Sequence, residues 1–237
     1  MSDQNPSALP ARPAQAVRER SLLRNVYLWM TGGLALTAVV ALGVASNPQF
    51  IRGLLSARFL FFALLIAEVG LVWFLSARIA TLSPAAAVGG FVAYAVLNGV
   101  TLSVILLVYA RASVANALFL SAGTFAGMSL YAVSTRRDLS RFGSYLIYGL
   151  WGLVIATLVN LFLRSPAVQW VLSYLGVALF LGLTAYDTQL IKRWSQELDE
   201  AAGEADFIRL SILGALKLYL DFLNLFLFFL RILGRRR

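Results

Sequence analysis

Residues 214–233 read GALKLYLDFLNLFLFFLRIL. A helix needs about 20 apolar residues to cross a bilayer core of about 30 Å, and this stretch supplies them. It also carries Lys217 and Asp221 one helical turn apart, with Asn224 beyond them. An Asp or Lys at the centre of a membrane helix costs roughly 2.5–3.5 kcal/mol, so charges kept there are used or paired. The stretch fixes the class as an all-α membrane protein, and it directs attention to whatever polar groups the rest of the chain could bring to Asp221.

Six further apolar runs precede it, at about 25–46, 59–80, 85–108, 114–135, 143–163 and 167–190; the last run spans about 211–233. Seven transmembrane helices are therefore expected over residues 21–237, behind a polar tail at 1–20 that holds Pro6, Pro10 and Pro13 and reads as disordered. The tail is not expected to be a secretory signal, because the first apolar run starts only after Asn25 and ends without a small-residue cleavage pattern. Barrel strands are excluded, since they alternate and run for only about 10 residues. The connections are short except for residues 192–210, which read as an acidic loop.

The composition agrees. The 237 residues are 60% hydrophobic and 13% charged, with a mean hydropathy of +0.79, whereas a soluble domain is nearer one quarter charged. Cysteine and histidine are both absent, which removes thiolate chemistry, the usual zinc ligands and the usual near-neutral pH switch. A pH response must come from carboxylates, amines or tyrosines. The net charge of +9 sits at segment ends, where it fits topology and lipid headgroups rather than nucleic acid. Eleven Lys and Arg fall on the tail side (Arg12, Arg18, Arg20, Arg24, Arg78, Arg136, Arg137, Arg141, Lys192, Arg193, Arg209) and four in the opposite loops (Arg52, Arg58, Arg111, Arg164). The expected N-terminus is cytoplasmic. The C-terminal Arg231 and 235–237 run against that count: either the last segment re-enters without crossing, or the early loops dominate.

Several polar residues lie inside the runs. Glu68 is in the middle of the second; Arg78, about 15 Å further along the same helix, cannot reach it and is either an interface anchor or a partner for another segment. Asn98 and Gly99 in the third run allow close helix approach and an interhelical hydrogen bond, and Gly32, Gly33, Gly123 and Gly127 read as packing positions of the same kind. Asp187 closes the sixth run. Unless it is solvated at headgroup level, it is the natural acidic neighbour of Asp221 on the returning helix. Two adjacent carboxyls in low dielectric cannot both ionise cheaply, so they share a proton. Deprotonated, they repel and present hard oxygen ligands of the kind Ca²⁺ takes. A structural Lys217–Asp221 pair on one helix is the competing arrangement.

RNVYLWMTGGLALTA (24–38), YAVLNGVTLS (94–103), LTAYDTQLIKR (183–193) and ALKLYLDFLNLFLFFLRILG (215–234) resemble the Bax inhibitor 1 family in its bacterial branch. The resemblance implies a seven-helix bundle with the last helix near the centre and a pH-sensitive calcium leak of the inner membrane. It further implies a gate made by Asp187 and Asp221, a latch from Arg78, and Glu68 along the ion path. Lys217, Asn224 and Asn98 would modulate the site, with Asp187 and Asp221 as the Ca²⁺ ligands. No tightly bound cofactor is expected; Ca²⁺ is the transported ion, and protons and the lipid bilayer are the other partners. The alternative function is a non-transporting regulator that binds a membrane protease or other membrane proteins. No catalysis is expected: an intramembrane aspartyl protease would need a glycine-flanked aspartate, and Tyr186 and Thr188 flank Asp187.

Overall fold

The computed structural model describes residues 11–197 and 203–235, with side chains from residue 21 onward apart from 48, 55 and 58. Eight α-helices follow one another: α1 Ala11–Ala45, α2 Pro48–Ser56, α3 Arg58–Arg78, α4 Pro84–Val108, α5 Arg111–Ser134, α6 Gly143–Leu163, α7 Pro166–Glu197 and α8 Glu204–Leu233, with a 3-10 turn at Ser140–Phe142 before α6. All but α2 are long and apolar enough to cross a membrane, giving seven spans among the described residues. Helix ends coincide with turn chemistry. Asn47 caps α2 by accepting from the N–H groups of Gln49 and Phe50, both at 3.1 Å. Ser83 caps α4 by accepting from Ala86 N–H at 3.2 Å, with Pro84 in the first turn where a missing N–H costs nothing.

Two expectations about boundaries are corrected. Residues 11–20, expected within the tail, begin α1. Their Ala, Arg, Gln and Glu favour helix, and Pro13 sits in the first turn, where it is tolerated; residues 1–10 lie outside the described residues. The loop expected at 192–210 is largely helical, because α7 continues to Glu197 and α8 starts at Glu204. The polar residues there are good helix formers, and a helix need not stop where the bilayer does.

The direction of α8 follows from its ends. Near its start, Arg209 Nε donates to Leu82 O at 2.7 Å in the α3–α4 connection. Beyond its end, Ala110 N–H donates to Arg235 O at 3.1 Å, and Arg235 N–H donates to Ser113 Oγ at 3.0 Å. Leu82 and Ala110 flank opposite ends of α4, so α8 crosses completely and Arg231 lies toward the face away from the α1 start.

α8 packs against α7, α1, α5 and α4. Of its apolar window 72% is buried, against 11% for α3 and 6% for α6. A helix covered over most of its surface packs among other helices, whereas α3 and α6 leave most of theirs open to lipid. Tyr219 is fully buried, with ring centroids 5.8 Å from Phe91 and 5.7 Å from Tyr94, both edge-on. α1 and α4 approach closely because Gly99 has no side chain: a Cβ there would sit 2.6 Å from Val40 Cβ and 2.8 Å from Thr37 O. At Gly33 a Cβ would meet Phe91 Cζ at 2.6 Å. The Gly32, Gly123 and Gly127 positions differ from expectation, for nothing lies within 4 Å of a Cβ at any of them. A GxxxG spacing puts two small residues on one face, but the fold decides whether a helix covers that face.

Candidate functional site

α7 and α8 lie side by side with opposite directions, and their contact brings three charged side chains together. Asp187 on α7 and Asp221 on α8 are buried, at 5% and 4% exposure. Lys217 Nζ reaches across from α8 to Asp187 Oδ1 at 3.1 Å, both an ion pair and a hydrogen bond. Asp221 lies one turn beyond Lys217 on α8. Both Asp187 and Lys217 are within electrostatic reach of Asp221, yet its buried Oδ2 has no hydrogen-bond partner. The site thus holds two carboxyls and one ammonium, with the ammonium committed to one of the two.

This geometry corrects the expected arrangement in one respect and excludes the two competing ones. No hydrogen bond joins Asp187 to Asp221; Lys217 takes the place of the shared proton on Asp187. The Lys217–Asp221 pair within one helix is also absent. Helical side chains lean toward the N-terminus of their own helix, so Lys217 leans away from Asp221 and toward the depth of Asp187. A basic residue four positions before an acid is the weaker order for such pairs in any case. Finally, Asp187 is not solvated. Lys217, one turn nearer the start of α8 than Asp221, is the α8 side chain that reaches it. With Lys217 on Asp187, the two aspartates do not form a two-carboxylate Ca²⁺ site in this arrangement. Among the described residues, no group of three or more Asp or Glu is placed to hold a metal ion.

Arg78 is not brought to the pair. It is exposed at the end of α3, a helix packed chiefly on α4 and α2, and no hydrogen bond or ion pair links it to either aspartate. Position along a run gives its depth but not the direction in which it points. The cation beside Asp187 is Lys217 instead. Glu68 is half-buried on α3 and accepts a hydrogen bond from the Thr101 hydroxyl of α4. Asn98 and Asn224 bond within their own helices: Asn98 Nδ2 donates to Tyr94 O at 3.0 Å, and Asn224 Nδ2 donates to Leu220 O at 2.9 Å. The interhelical bond expected of Asn98 is therefore not formed.

A second polar group, which sequence reasoning missed, lies two residues before Asp221. Thr37 of α1 donates to Ala95 O of α4 at 2.9 Å. With its proton so committed, Thr37 Oγ1 accepts from Tyr219 O–H of α8 at 2.7 Å. One hydroxyl pair thereby joins α1, α4 and α8, with all polar atoms satisfied as burial requires. A Tyr in an apolar run looks like packing; nothing in the sequence marks Thr37 as its partner.

A third device closes the side where α7 ends. The Gln189 amide bridges the α5–α6 connection, with Oε1 accepting from Leu139 N–H at 2.7 Å and Nε2 donating to Arg137 O at 2.8 Å. Lys192 Nζ donates to Val133 O at 3.1 Å at the end of α5, where a cation suits the helix C-terminus. Asp138 lies 3.9 Å from Arg193. Its carboxyl is held below the ordinary range, first by the Ser140 hydroxyl at 2.7 Å and the Ser140 N–H at 2.9 Å, then by the neighbouring arginines. These contacts hold the connection on α7 within a turn of Asp187. Gln189 sits two residues after Asp187, and the TQ of that motif was the available signal.

Comparison with known proteins agrees with this architecture. A family model described as inhibitor of apoptosis-promoting Bax1 matches residues 19–237. The chain is 46% identical over 218 residues to the Escherichia coli K12 protein named inner membrane protein YbhL, covering 92% of this chain and 93% of that one. It is 41% identical over 219 residues to an uncharacterized protein of Borreliella burgdorferi, covering 92% and 94%. With an uncharacterized protein of Deinococcus radiodurans it shares 44% identity over 213 residues, covering 90% of each.

Proposed function

Because the chain belongs to the Bax inhibitor-1 family, we propose that this multi-pass bacterial inner-membrane protein is a pH-sensitive leak for Ca²⁺ and similar cations. Its N-terminus is cytoplasmic, and it acts as a conduit rather than as an enzyme. The observation that carries the proposal is the Asp187–Lys217–Asp221 group between α7 and α8, with Asp221 Oδ2 buried and unpartnered.

The mechanism follows from charge accounting. An unpaired buried charge is prohibitively costly, so such a group is neutralised or compensated. One ammonium cannot balance two carboxylates. In the closed arrangement Lys217 balances Asp187, and Asp221 is neutral because it carries a proton. Loss of that proton leaves a net negative charge in a low-dielectric contact. The two carboxylates then repel and compete for Lys217, and the α7–α8 contact loosens. Freed carboxylate oxygens are hard ligands suited to a passing Ca²⁺. Glu68, on the other side of α4, is a third carboxyl available to the cation, and Lys217 performs the latching that the family resemblance assigned to Arg78. Opening is therefore favoured by rising pH.

The test is Ca²⁺ flux into dye-loaded liposomes across a pH series. Asp221→Asn cannot ionise, and its flux is expected to be independent of pH; Asp187→Asn frees Lys217 for Asp221 and is expected to flatten the response as well. A pH profile unchanged from wild type in both variants would overturn the mechanism, and absence of flux in the wild-type protein would overturn the function.

A further inference from the structure

The face on which α8 ends holds a groove that the charged group above does not use. α6 packs chiefly against α7 and leaves a gap toward α8. A cavity of about 700 Å³ opens there, continuous through Thr157, Leu158 and Arg231 with a deeper one of about 380 Å³. The two parts differ in chemistry. The mouth carries Arg164, Arg231, Asn160, Gln169 and Tyr109. Beyond the shared residues, the deeper part is lined by Leu150, Leu153, Val154, Phe180 and Phe228, with Asn224 the polar exception. No Asp or Glu lines either part, and among the described residues no ion pair joins either arginine to a carboxylate. The groove opens sideways, because Leu158, Leu161 and Phe162 beside it are exposed on a lipid-facing helix.

Both arginines are positioned by specific contacts. The Arg231 guanidinium lies 5.2 Å above the Phe228 ring, which orients its plane and leaves its N–H edge free. Arg164 ends α6 in the left-handed region, at φ 52° and ψ 31°. Asn160 holds that turn: its carbonyl accepts from Arg164 N–H at 2.7 Å, and its side chain accepts from Ser165 N–H at 3.1 Å. Left-handed helix ends favour glycine or asparagine, so an arginine at this position is locally unfavourable. What it provides is a second guanidinium at headgroup depth on the same cavity as Arg231.

We propose that this groove binds an anionic phospholipid of the leaflet at the α8 C-terminal face. The phosphate sits between Arg231 and Arg164, and one acyl chain lies in the slot lined by Leu150, Val154, Phe180 and Phe228. The order of chemistry along the groove, cationic and amide-bearing at the membrane surface and apolar toward the middle, matches that of a lipid. Guanidinium groups pair with phosphate through two parallel hydrogen bonds, and basic pockets between transmembrane helices suit anionic headgroups.

The experiment is native mass spectrometry of the full chain from detergent, titrated with phosphatidylglycerol or with phosphatidylcholine of the same acyl chains. Parallel thermal-unfolding measurements use each lipid or inorganic phosphate. The wild type is expected to hold one phosphatidylglycerol about tenfold more tightly than phosphatidylcholine, and Arg231→Gln and Arg164→Gln to weaken phosphatidylglycerol about fivefold each with phosphatidylcholine unchanged. Arg164→Gly relieves the turn, and it is expected to keep or raise lipid-free thermal stability while losing the same lipid affinity. A purely structural role for Arg164 would not separate those two readouts. Equal affinity for the two lipids in the wild type, or undiminished phosphatidylglycerol affinity in both glutamine variants, would overturn the site. Protection by inorganic phosphate equal to that by phosphatidylglycerol would overturn the lipid assignment in favour of a soluble anion.

Discussion

Replacing Lys217 with methionine tests the charged group most directly. The side chain keeps its length and apolar stem but loses the ammonium 3.1 Å from Asp187 Oδ1. At an effective dielectric of about 20, unit charges at that distance attract by about 5 kcal/mol, before desolvation is subtracted. Removing one member of a fully buried pair costs about 3–5 kcal/mol, because the other is left uncompensated. Asp187 is 5% exposed, but the Lys217 side chain is 35% exposed, so part of the attraction is screened by water. A loss of about 2–3 kcal/mol follows from discounting that range. For a chain of this size it corresponds to a fall in Tm of about 4–12 °C. The loss should be larger at pH 8 than at pH 5, since protons at low pH supply the neutrality that the ammonium gave. Adding Asp187→Asn to Lys217→Met removes the stranded charge and should recover at least half of the loss, a coupling of about 1–2 kcal/mol in a double-mutant cycle. Thermal unfolding in detergent, followed by tryptophan fluorescence, reads all four corners of the cycle. A Lys217→Met variant within 1 °C of wild type at both pH values, or strictly additive single effects, would refute the reasoning that Lys217 compensates Asp187.

Four other outcomes are expected. Gly99→Ala forces a Cβ against Thr37 O and Val40 Cβ and should cost about 1–3 kcal/mol, while Gly123→Ala, with open space around it, should be neutral; equal shifts in Tm would contradict the helix contact. Tyr219→Phe removes the hydroxyl that donates to Thr37 and should destabilise by about 1 kcal/mol, measured the same way. Gln189→Ala frees both backbone partners of the α5–α6 connection, so trypsin should cut after Arg136 or Arg137 faster than in wild type at pH 8; an unchanged rate would mean that the amide bridge does not hold the connection. The Asp138 carboxyl is depressed by its bonds to Ser140, so its contribution is present above the ordinary carboxylate range and is lost as pH falls through the lower folded value. The Tm difference between wild type and Asp138→Ala should therefore be seen at pH 7 and shrink toward zero on acidification, and a difference constant from pH 7 to pH 3 would contradict that assignment.

The three polar groups that tie helices together are unequally legible in the sequence. Asp187 and Asp221 stand out because a charge in an apolar run is rare and costly, and that cost is a property of the run itself. Thr37, Tyr219 and Gln189 do not, because hydroxyls and amides are tolerated in such runs and their partners lie 50 to 182 residues away. Arg78 and the Gly123–Gly127 pair illustrate the opposite error. Each has the right chemistry and spacing, but the rotation of its helix leaves it exposed and outside the packing.

Length and hydropathy determined the seven crossings, because the free energy of inserting a segment is local and roughly additive along it. The same local cost singled out Asp187, Lys217 and Asp221 as groups needing compensation. Which group compensates which was decided only by tertiary structure. The sequence offers Lys217 an acid four residues on and another thirty residues back. The packing of α8 against α7 and the lean of its side chains toward its own N-terminus put Asp187 within reach, leaving Asp221 Oδ2 buried without a hydrogen-bond partner. Pairing depends on the depth and rotation of one helix against another, and neither quantity is written in a single segment.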